Sequence, residues 1–250
     1  MSRIVVIGGH GRTGIEIVKQ LVAQGDNVVA TIRNPKHMAD LVKAGAETFI
    51  LDLEKSTGPE FAVTMVGADA VVFAAGSGDN EPSEIDRTGT LKTVRAAAKA
   101  GVKRYVTVSA LGATTALPDK WDTPEMKDYW KAKRAANKYV RESGLDFTII
   151  EPGELTDGKA TGKIELATDG LDAAKISRAD VAAAVVAALA TPRSKGHTFQ
   201  IIGGKTPIDK AIADASAKEP AAVKALAKKT TAKKASAKKA PAKKAAKSSR

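Results

Sequence analysis

A cluster of glycines follows the first apolar run of the chain. Residues 4–7 are all apolar and predict a short strand, and residues 8–14 read GGHGRTG, with glycines at 8, 11 and 14. Because glycine has no side chain, it allows a sharp turn and lets a pyrophosphate approach the backbone N–H groups at the start of a helix. A strand, such a turn and a helix in this order predict a dinucleotide-binding loop. The residues expected to contact the dinucleotide here are Gly8, Gly11, Arg12, Thr13 and Gly14.

Strand and helix patterns alternate along the first 110 residues. Strands are predicted over 4–7, 27–32, 48–51, 68–75 and 103–109, and helices after the glycine loop and over 36–44 and 83–100. Farther on, we expect strands over 146–151, 163–167 and 197–202, and helices over 124–143, 180–190 (capped by Ser177) and 206–215. This alternation predicts an α/β fold: a Rossmann-type doubly wound parallel sheet, covered on both faces, in one domain over residues 1–217.

The positive charge of the chain is concentrated at its C-terminus. The formal net charge is +12, and residues 218–250 contribute 12 basic residues and one acid, which leaves a net charge of +1 for residues 1–217. Lysine pairs recur every five residues from 228 to 244 among Ala, Ser, Thr and Pro, as in the tails of linker-histone and bacterial histone-like proteins, which this segment resembles. We expect residues 218–250 to be disordered and to bind DNA, RNA or polyphosphate non-specifically, the alternative being a merely solubilising extension.

Several classes of site are excluded or disfavoured by composition. Cysteine is absent, which excludes disulfides and thiolate chemistry. The three histidines are not spaced like a ligand pair, so no metal site is expected. The longest apolar stretch, 181–190, is far shorter than the roughly 20 residues that span a bilayer, and residues 3–7 read as a strand and not as a leader. We therefore expect a cytoplasmic protein with no membrane partner.

The end of the second predicted strand indicates which cofactor binds. Sites specific for NAD carry an acidic residue there, which accepts a hydrogen bond from the ribose 2′-hydroxyl. Residues 31–34 read TIRN and contain no acid, and Arg33 together with Arg12 can form a fork around a 2′-phosphate. This favours NADP(H) over NAD(H), unless both arginines are only solvated surface residues.

The loops after the third and fourth predicted strands complete the expected cofactor site. Ligands of such sheets bind at the carboxyl ends of the strands. Asp52 and Leu53 are therefore expected near the adenine. The small residues expected where the cofactor crosses the sheet are Ala74, Ala75 and Gly76.

Five segments that follow one another along the chain are together more specific than the glycine loop alone. They are GGHGRTG (8–14), AGVKRYVTVSALGA (100–113), YWKAKRAANKYVRESGLDFTIIEPG (129–153), ISRADVAAAVVAAL (176–189) and HTFQIIGGKTPI (197–208). Over residues 3–216 the chain resembles an atypical short-chain dehydrogenase/reductase, of the NAD(P)H-binding group that includes NmrA-like and flavin-reductase-like proteins. The resemblance implies a nicotinamide cofactor, a small C-terminal substrate region and, in some members, a homodimer.

Relatives often have Arg-Pro-Gly after the sixth strand, where this chain has Glu151-Pro152-Gly153. A carboxylate at this expected substrate mouth makes recognition of an anion less expected.

Tyr129 and Lys133 are four residues apart, which places both on one face of the long predicted helix. The resemblance implies that such a tyrosine is the general acid towards the substrate oxygen, while the lysine favours the ionised phenol and bonds the nicotinamide ribose. Ser109 matches the family serine that hydrogen-bonds the substrate carbonyl. The alternative is structural: Tyr129 caps a core and Lys133 is solvated. Residues Trp121, Met126 and Trp130 either line a substrate pocket or pack a loop over it.

Two functions of different classes fit these residues. The first is an NADP-dependent oxidoreductase that reduces a small carbonyl, quinone or flavin substrate. The second is a non-catalytic NAD(P)-sensing protein that its basic tail tethers to a polyanion. Sugar-nucleotide epimerisation, a third function, suits the wider superfamily, although the C-terminal region before the tail is small for it.

Overall fold

The computed structural model describes residues 1–76, 85–218 and 220. The strands are β1 (Arg3–Ile7), β2 (Asn27–Ile32), β3 (Glu47–Ile50), β4 (Ala70–Phe73), β5 (Arg104–Val108), β6 (Asp146–Pro152), β7 (Glu154–Thr156), β8 (Lys163–Ala167), β9 (Lys175–Ser177), β10 (His197–Gly203) and β11 (Thr206–Pro207). The helices are α1 (Arg12–Ala23), α2 (Met38–Lys43), α3 (Gly58–Met65), α4 (Thr90–Lys99), α5 (Lys127–Arg141), α6 (Arg178–Ala190) and α7 (Ile208–Ser216).

Nine of the described strands form one sheet in the order β11-β8-β10-β6-β5-β4-β1-β2-β3. The seven strands from β10 to β3 are parallel, whereas β8 is antiparallel to β10 and β11 is antiparallel to β8. The remaining two described strands, β7 and β9, pair with each other in parallel. The direction of winding reverses between β1 and β4, and the loops at the carboxyl ends of these two strands therefore open a crevice.

Side chains of β1 alternate between two apolar cores, one on each face of the sheet. Ile4 and Val6 belong to the core under α1, α2, α6 and α7. Val5 and Ile7 belong to the opposite core, under α3, α4 and α5. All four side chains are at most 3% exposed, which is why the strand is apolar at every position. The predicted doubly wound parallel sheet in a single domain is confirmed.

Most predicted elements are present, with shifts at their ends. Ser177 caps α6 as predicted, because its side chain accepts a hydrogen bond from the N–H of Asp180. The helix predicted over 83–100 begins only at Thr90, after a turn of π-helix over Ile85–Gly89, and residues 83 and 84 lie outside the described residues. The helix predicted over 124–143 opens with a separate 3₁₀ turn over Pro124–Met126.

Four short elements were not predicted: α3, β7, β9 and β11, the last of which occupies the start of the helix predicted over 206–215. The start of α3 carries a readable signal, a capping box in which the N–H of Thr57 donates to the Glu60 carboxylate, with Pro59 in the first turn. Strands β7 and β9 have three residues each and pair only with one another, so their sequences carry little periodicity.

The described residues contain no helix that is long and apolar enough to cross a membrane. In the same part of the chain, no group of three or more histidine, aspartate or glutamate side chains is arranged to hold a metal ion. The predicted C-terminal tail, apart from Lys218 and Pro220, lies outside the described residues.

Candidate functional site

One cavity of about 1360 Å³ lies at the carboxyl ends of the central strands. It brings together the loops after β1 to β5 and the start of α5. Residues singled out from the sequence that line it are Gly8, Gly11, Arg12, Thr13, Arg33, Asp52, Leu53, Ala74, Ala75, Gly76, Ser109, Tyr129 and Lys133. Among the residues expected to contact the cofactor or to act in catalysis, Gly14 alone does not line the cavity; it lies within the first turn of α1.

The glycine loop is closed by contacts that no larger residue permits. Gly8 has a φ of +78°, and a Cβ built on it would lie 2.7 Å from the Cα of Ala75. A Cβ on Gly14 would overlap the carbonyl oxygen of Gly8. Gly11 caps α1 without a side-chain hydrogen bond, and the first turn of the helix contains no acid. The N-terminus of α1 therefore faces the cavity with its backbone N–H groups uncapped, an arrangement that fits a dinucleotide pyrophosphate.

The loops after β2 and β3 form the opposite end of the cavity. Arg33 is exposed and lines it, as do the stacked imidazole rings of His10 and His37, whose centroids are 3.8 Å apart. His10 also contacts Asp40, with 2.9 Å between Nε2 and Oδ2, and this hydrogen bond lowers the pKa of Asp40. Arg12 does not join Arg33 in a fork; its Nη1 lies 3.3 Å from Asp157 Oδ2 instead.

The loop that carries Asp52 and Leu53 is held in place from the neighbouring helix α4. The ammonium group of Lys92 donates hydrogen bonds of 2.6 Å to the carbonyl oxygens of Leu53 and Ser56. Oδ1 of Asp52 accepts a hydrogen bond from the N–H of Glu54 within the loop. The shape of this end of the cavity therefore depends on a lysine that sequence reasoning did not single out.

A buried ion pair lies at the floor of the cavity beside Tyr129. Lys133 Nζ donates to Asp86 Oδ1 at 2.7 Å, and the two residues are 8% and 2% exposed. The same ammonium group lies 5.6 Å from the centre of the Tyr129 ring. Burial lowers the pKa of Lys133, but the electrostatic interactions with the Tyr129 side chain and with the hydrogen-bonded carboxylate of Asp86 more than offset it, so its pKa is raised and the side chain is charged.

Asp86 was missed by sequence reasoning. It lies in the π-helical turn that precedes α4, 47 residues before Lys133, and no local pattern marks the pairing. The alternative in which Lys133 is a solvated surface residue is wrong, because α5 presents this side chain to the interior.

Ser109 follows β5 and lines the same cavity. Its backbone N–H donates to the carbonyl oxygen of Ile150 at 2.7 Å, which fixes the residue in place. Its hydroxyl is buried and has no hydrogen-bond partner among the described residues. A buried hydroxyl normally has such a partner, and this one belongs to a residue that lines the cavity.

The large side chains before and within α5 fall into two groups. Some line the cavity, and the others pack against those that do. Met126 and Tyr129 line the cavity. Trp130 is 4% exposed and donates through Nε1 to the carbonyl oxygen of Trp121 at 2.9 Å, and its ring meets that of Tyr129 edge to face. The two tryptophans are not among the lining residues; they form a small apolar cluster that holds Tyr129 in place.

The prediction that Glu151 lies at the substrate mouth is wrong. Glu151 is fully buried beneath α5, where its Oε1 accepts a hydrogen bond of 2.8 Å from Asn137, and it does not line the cavity. Burial raises the pKa of Glu151 to about 7. Successive side chains of a strand point to opposite faces, and the position of Glu151 in β6 directs it towards α5. Its replacement of arginine therefore changes the interior and not the cavity wall.

Comparisons with known proteins agree with this geometry. The family described as NAD(P)H-binding matches residues 8–192. The chain is 36% identical over 215 residues to the uncharacterized sugar epimerase YhfK of Bacillus subtilis, which covers 84% of this chain and 98% of that protein. A solved structure from Bacillus halodurans, provisionally described as an NAD-dependent epimerase/dehydratase, superposes with a TM-score of 0.78 at 32% identity, covering 86% of this chain and 100% of the other.

A second solved structure, that of the oxidoreductase ylbE from Lactococcus lactis, superposes with a TM-score of 0.75 at 29% identity and covers 86% of this chain and 97% of the other. The family match runs from the glycine loop through most of the domain, up to the end of α6. This span is well over half of the 250 residues. The chain therefore belongs to the NAD(P)H-binding family.

Proposed function

We propose that the protein is an NADP(H)-dependent oxidoreductase that reduces a small carbonyl, quinone or flavin substrate. The observation that carries the proposal is the unpartnered hydroxyl of Ser109, which lines the same cavity as Tyr129 and the buried Lys133–Asp86 pair. A hydrogen-bond donor, a phenol and a fixed cation are the groups that a substrate oxygen needs as it gains negative charge and then a proton.

Each of these residues has a distinct part in the proposed reaction. The nicotinamide supplies the hydride when the cofactor is bound. Ser109 orients the substrate oxygen through its free hydroxyl, and Tyr129 gives that oxygen its phenolic proton. The ammonium group of Lys133 stabilises the phenolate that remains, and Asp86 keeps Lys133 charged and in place.

The preference for NADP(H) is part of the proposal and rests on the end of β2. Arg33 is exposed and lines the cavity, and residues 31–34 contain no acid that would accept a hydrogen bond from a ribose 2′-hydroxyl. A guanidinium group in this place favours the 2′-phosphate of NADP(H), whose charge it balances.

The test offers the protein NADPH and a panel of quinones, flavins and aldehydes as hydride acceptors. Turnover is measured as the fall in the absorbance of NADPH. Tyr129→Phe is expected to lower turnover about 10²–10⁴-fold, the usual contribution of a general acid. Tyr139→Phe is the matched control, because Tyr139 lies on the same helix but outside the cavity. Equal turnover in both variants would contradict the role of Tyr129. Tight NADPH binding without turnover of any acceptor would favour the non-catalytic sensor.

Sugar epimerisation is a second candidate, favoured by the description of the Bacillus subtilis relative as a sugar epimerase. Such a reaction leaves the amount of oxidised cofactor unchanged. Interconversion of UDP-glucose and UDP-galactose by the protein, followed by NMR without net NADPH oxidation, would favour this candidate over the reductase.

We further propose that the basic segment 218–250 holds the domain on a polyanion such as DNA, RNA or polyphosphate. Its net charge of +11 supports the proposal, because many lysines bind a polyanion by releasing its counterions. Deleting 218–250 is expected to abolish retention on DNA at low salt and to leave the affinity for NADPH unchanged. Equal retention of the truncated protein would place DNA binding in the domain and contradict the proposal.

A further inference from the structure

Two arginines on different helices meet at one carboxylate beside the glycine loop. Arg12 is the first residue of α1, and Arg178 is the first residue of α6. Nη1 of Arg178 lies 2.6 Å from Oδ1 of Asp157, and Nη1 of Arg12 lies 3.3 Å from Oδ2 of the same side chain. Each oxygen of Asp157 therefore takes one guanidinium group.

The two arginines line the cavity, whereas Asp157 does not. Helices α1 and α6 pack against each other, which brings the two arginines close together. One carboxylate spans both of them, so the gap suits a single small anion with two oxygens of similar spacing. A phosphate has this form and is the anion that arginine pairs bind best.

Arg178 is largely buried, whereas its partner Asp157 is exposed. The side chain of Arg178 is 10% exposed, whereas that of Asp157 is 67% exposed and lies in an exposed loop after β7. An ion pair with an exposed carboxylate contributes little to stability, typically about 0–1 kcal/mol. The buried guanidinium of Arg178 thus has a partner that can be exchanged at small cost for another anion.

We propose that Arg12 and Arg178 form a binding site for the pyrophosphate of the cofactor, and that Asp157 occupies this site as an internal anion until the cofactor binds. The proposal rests on the proposed function in that its ligand is a nicotinamide dinucleotide. It assigns Arg12 to the pyrophosphate and leaves the 2′-phosphate to Arg33. It also adds Arg178, about 165 residues from the glycine loop, to the cofactor site.

The test is titration calorimetry of the full chain with NADPH and with NADH, which share the pyrophosphate and differ in the 2′-phosphate. Arg178→Lys keeps the positive charge but loses the planar guanidinium group, which can bond two oxygens of one anion. This variant is expected to weaken binding of both cofactors about tenfold or more. Arg12→Gln, a change at an exposed side chain, is expected to act in the same direction. Arg33→Glu, in contrast, is expected to weaken NADPH more than NADH.

Asp157→Asn removes the competing charge and is expected to tighten binding of both cofactors about two- to fivefold, because the carboxylate that pairs with both arginines is exposed and its ion pairs are weak. Asp169→Asn, an equal change of charge in another exposed loop, is the matched control and is expected to change neither affinity. Melting temperatures of all variants separate loss of binding from loss of folding.

Two outcomes would overturn the inference while the proposed function stands. If Asp157→Asn weakens binding as Arg178→Lys does, then Asp157 is a structural partner of the arginines and not a competitor. If Arg178→Lys and Arg12→Gln bind both cofactors like the wild type, the arginines do not hold the pyrophosphate. Failure of the wild type to bind either cofactor would overturn the proposed function and this inference together.

Discussion

The glycine loop and the floor of the cavity beneath α5 contribute to one site but are held in shape by different parts of the chain. The loop is shaped by the backbone: Gly8 and Gly14 lie so close to neighbouring atoms that a Cβ does not fit. The floor is shaped by a buried pair of charged side chains, Lys133 and Asp86, and the interior beneath α5 that does not reach the cavity holds a second polar contact, the Glu151–Asn137 hydrogen bond. One region excludes side chains, and the other depends on them.

The difference determines how each region responds to change. A backbone loop tolerates no added atom, since its contacts are already at the van der Waals limit. A buried charged pair tolerates changes of size better than changes of charge, since an unpaired buried charge is strongly destabilising. Three substitutions therefore test how the two regions differ. One adds a methyl group to the glycine loop, one removes the charge of the buried lysine, and one neutralises a buried carboxylate beneath α5.

The largest effect on cofactor binding is expected for Gly14→Ala. The added Cβ would overlap the Gly8 carbonyl oxygen, so the loop must move and the uncapped N-terminus of α1 moves with it. We expect the affinity for NADPH, measured by calorimetry, to fall more than about 100-fold. Gly58→Ala is the control, because a Cβ there meets no atom within 4 Å. Unchanged binding by the Gly14 variant would mean that the loop adapts and that its shape is not set by the backbone.

The largest effect on stability is expected for Lys133→Met. This change leaves Asp86 buried without its ammonium partner and is expected to destabilise the fold by about 3–5 kcal/mol in urea denaturation. Lys131→Met, on an exposed position of the same helix, should change stability little. The double variant Lys133→Met/Asp86→Asn is expected to regain part of the stability but not the turnover. Full stability of the single variant would show that the pair is not what shapes the floor.

The smallest effect is expected for Glu151→Gln and depends on pH. The pKa of Glu151 is about 7 in the folded protein against an ordinary 4.5. Between these two pH values the folded state therefore keeps a proton on Glu151 that the unfolded state releases. The wild type should therefore lose about 3 kcal/mol of stability relative to the variant as pH rises from 4.5 to 7, and the two should change in parallel below 4.5. Exposed Glu165→Gln is the control. Parallel curves over the whole range would mean that Glu151 is ionised at neutral pH.

The same contrast explains which features were predictable. The glycine loop and the strands could be read from the sequence because turns, caps and apolar runs are local properties of the chain. The bounds of β2 and the Ser177 cap were predicted correctly. The roles of Ser109, Tyr129 and Lys133 remain predictions, although the structure brings them into one cavity.

The contacts of the floor could not be read in this way. Asp86 and Lys133 are 47 residues apart, and only the packing of α4 against α5 brings them together. Glu151 looks like a mouth residue in the sequence, but the alternation of β6 turns it inward. The partnership of Arg12 with Asp157 joins residues 145 positions apart, so the sequence suggested Arg33 as the nearer partner.

The unsatisfied hydroxyl of Ser109 has a consequence for substrate selectivity. A buried donor without an acceptor is destabilising by about 1–3 kcal/mol, and a ligand with an oxygen at this point recovers that energy on binding. An analogue in which a methylene replaces that oxygen recovers none of it and keeps the donor away from water as well. In the proposed reductase, this hydroxyl would therefore favour a ketone over its deoxy analogue.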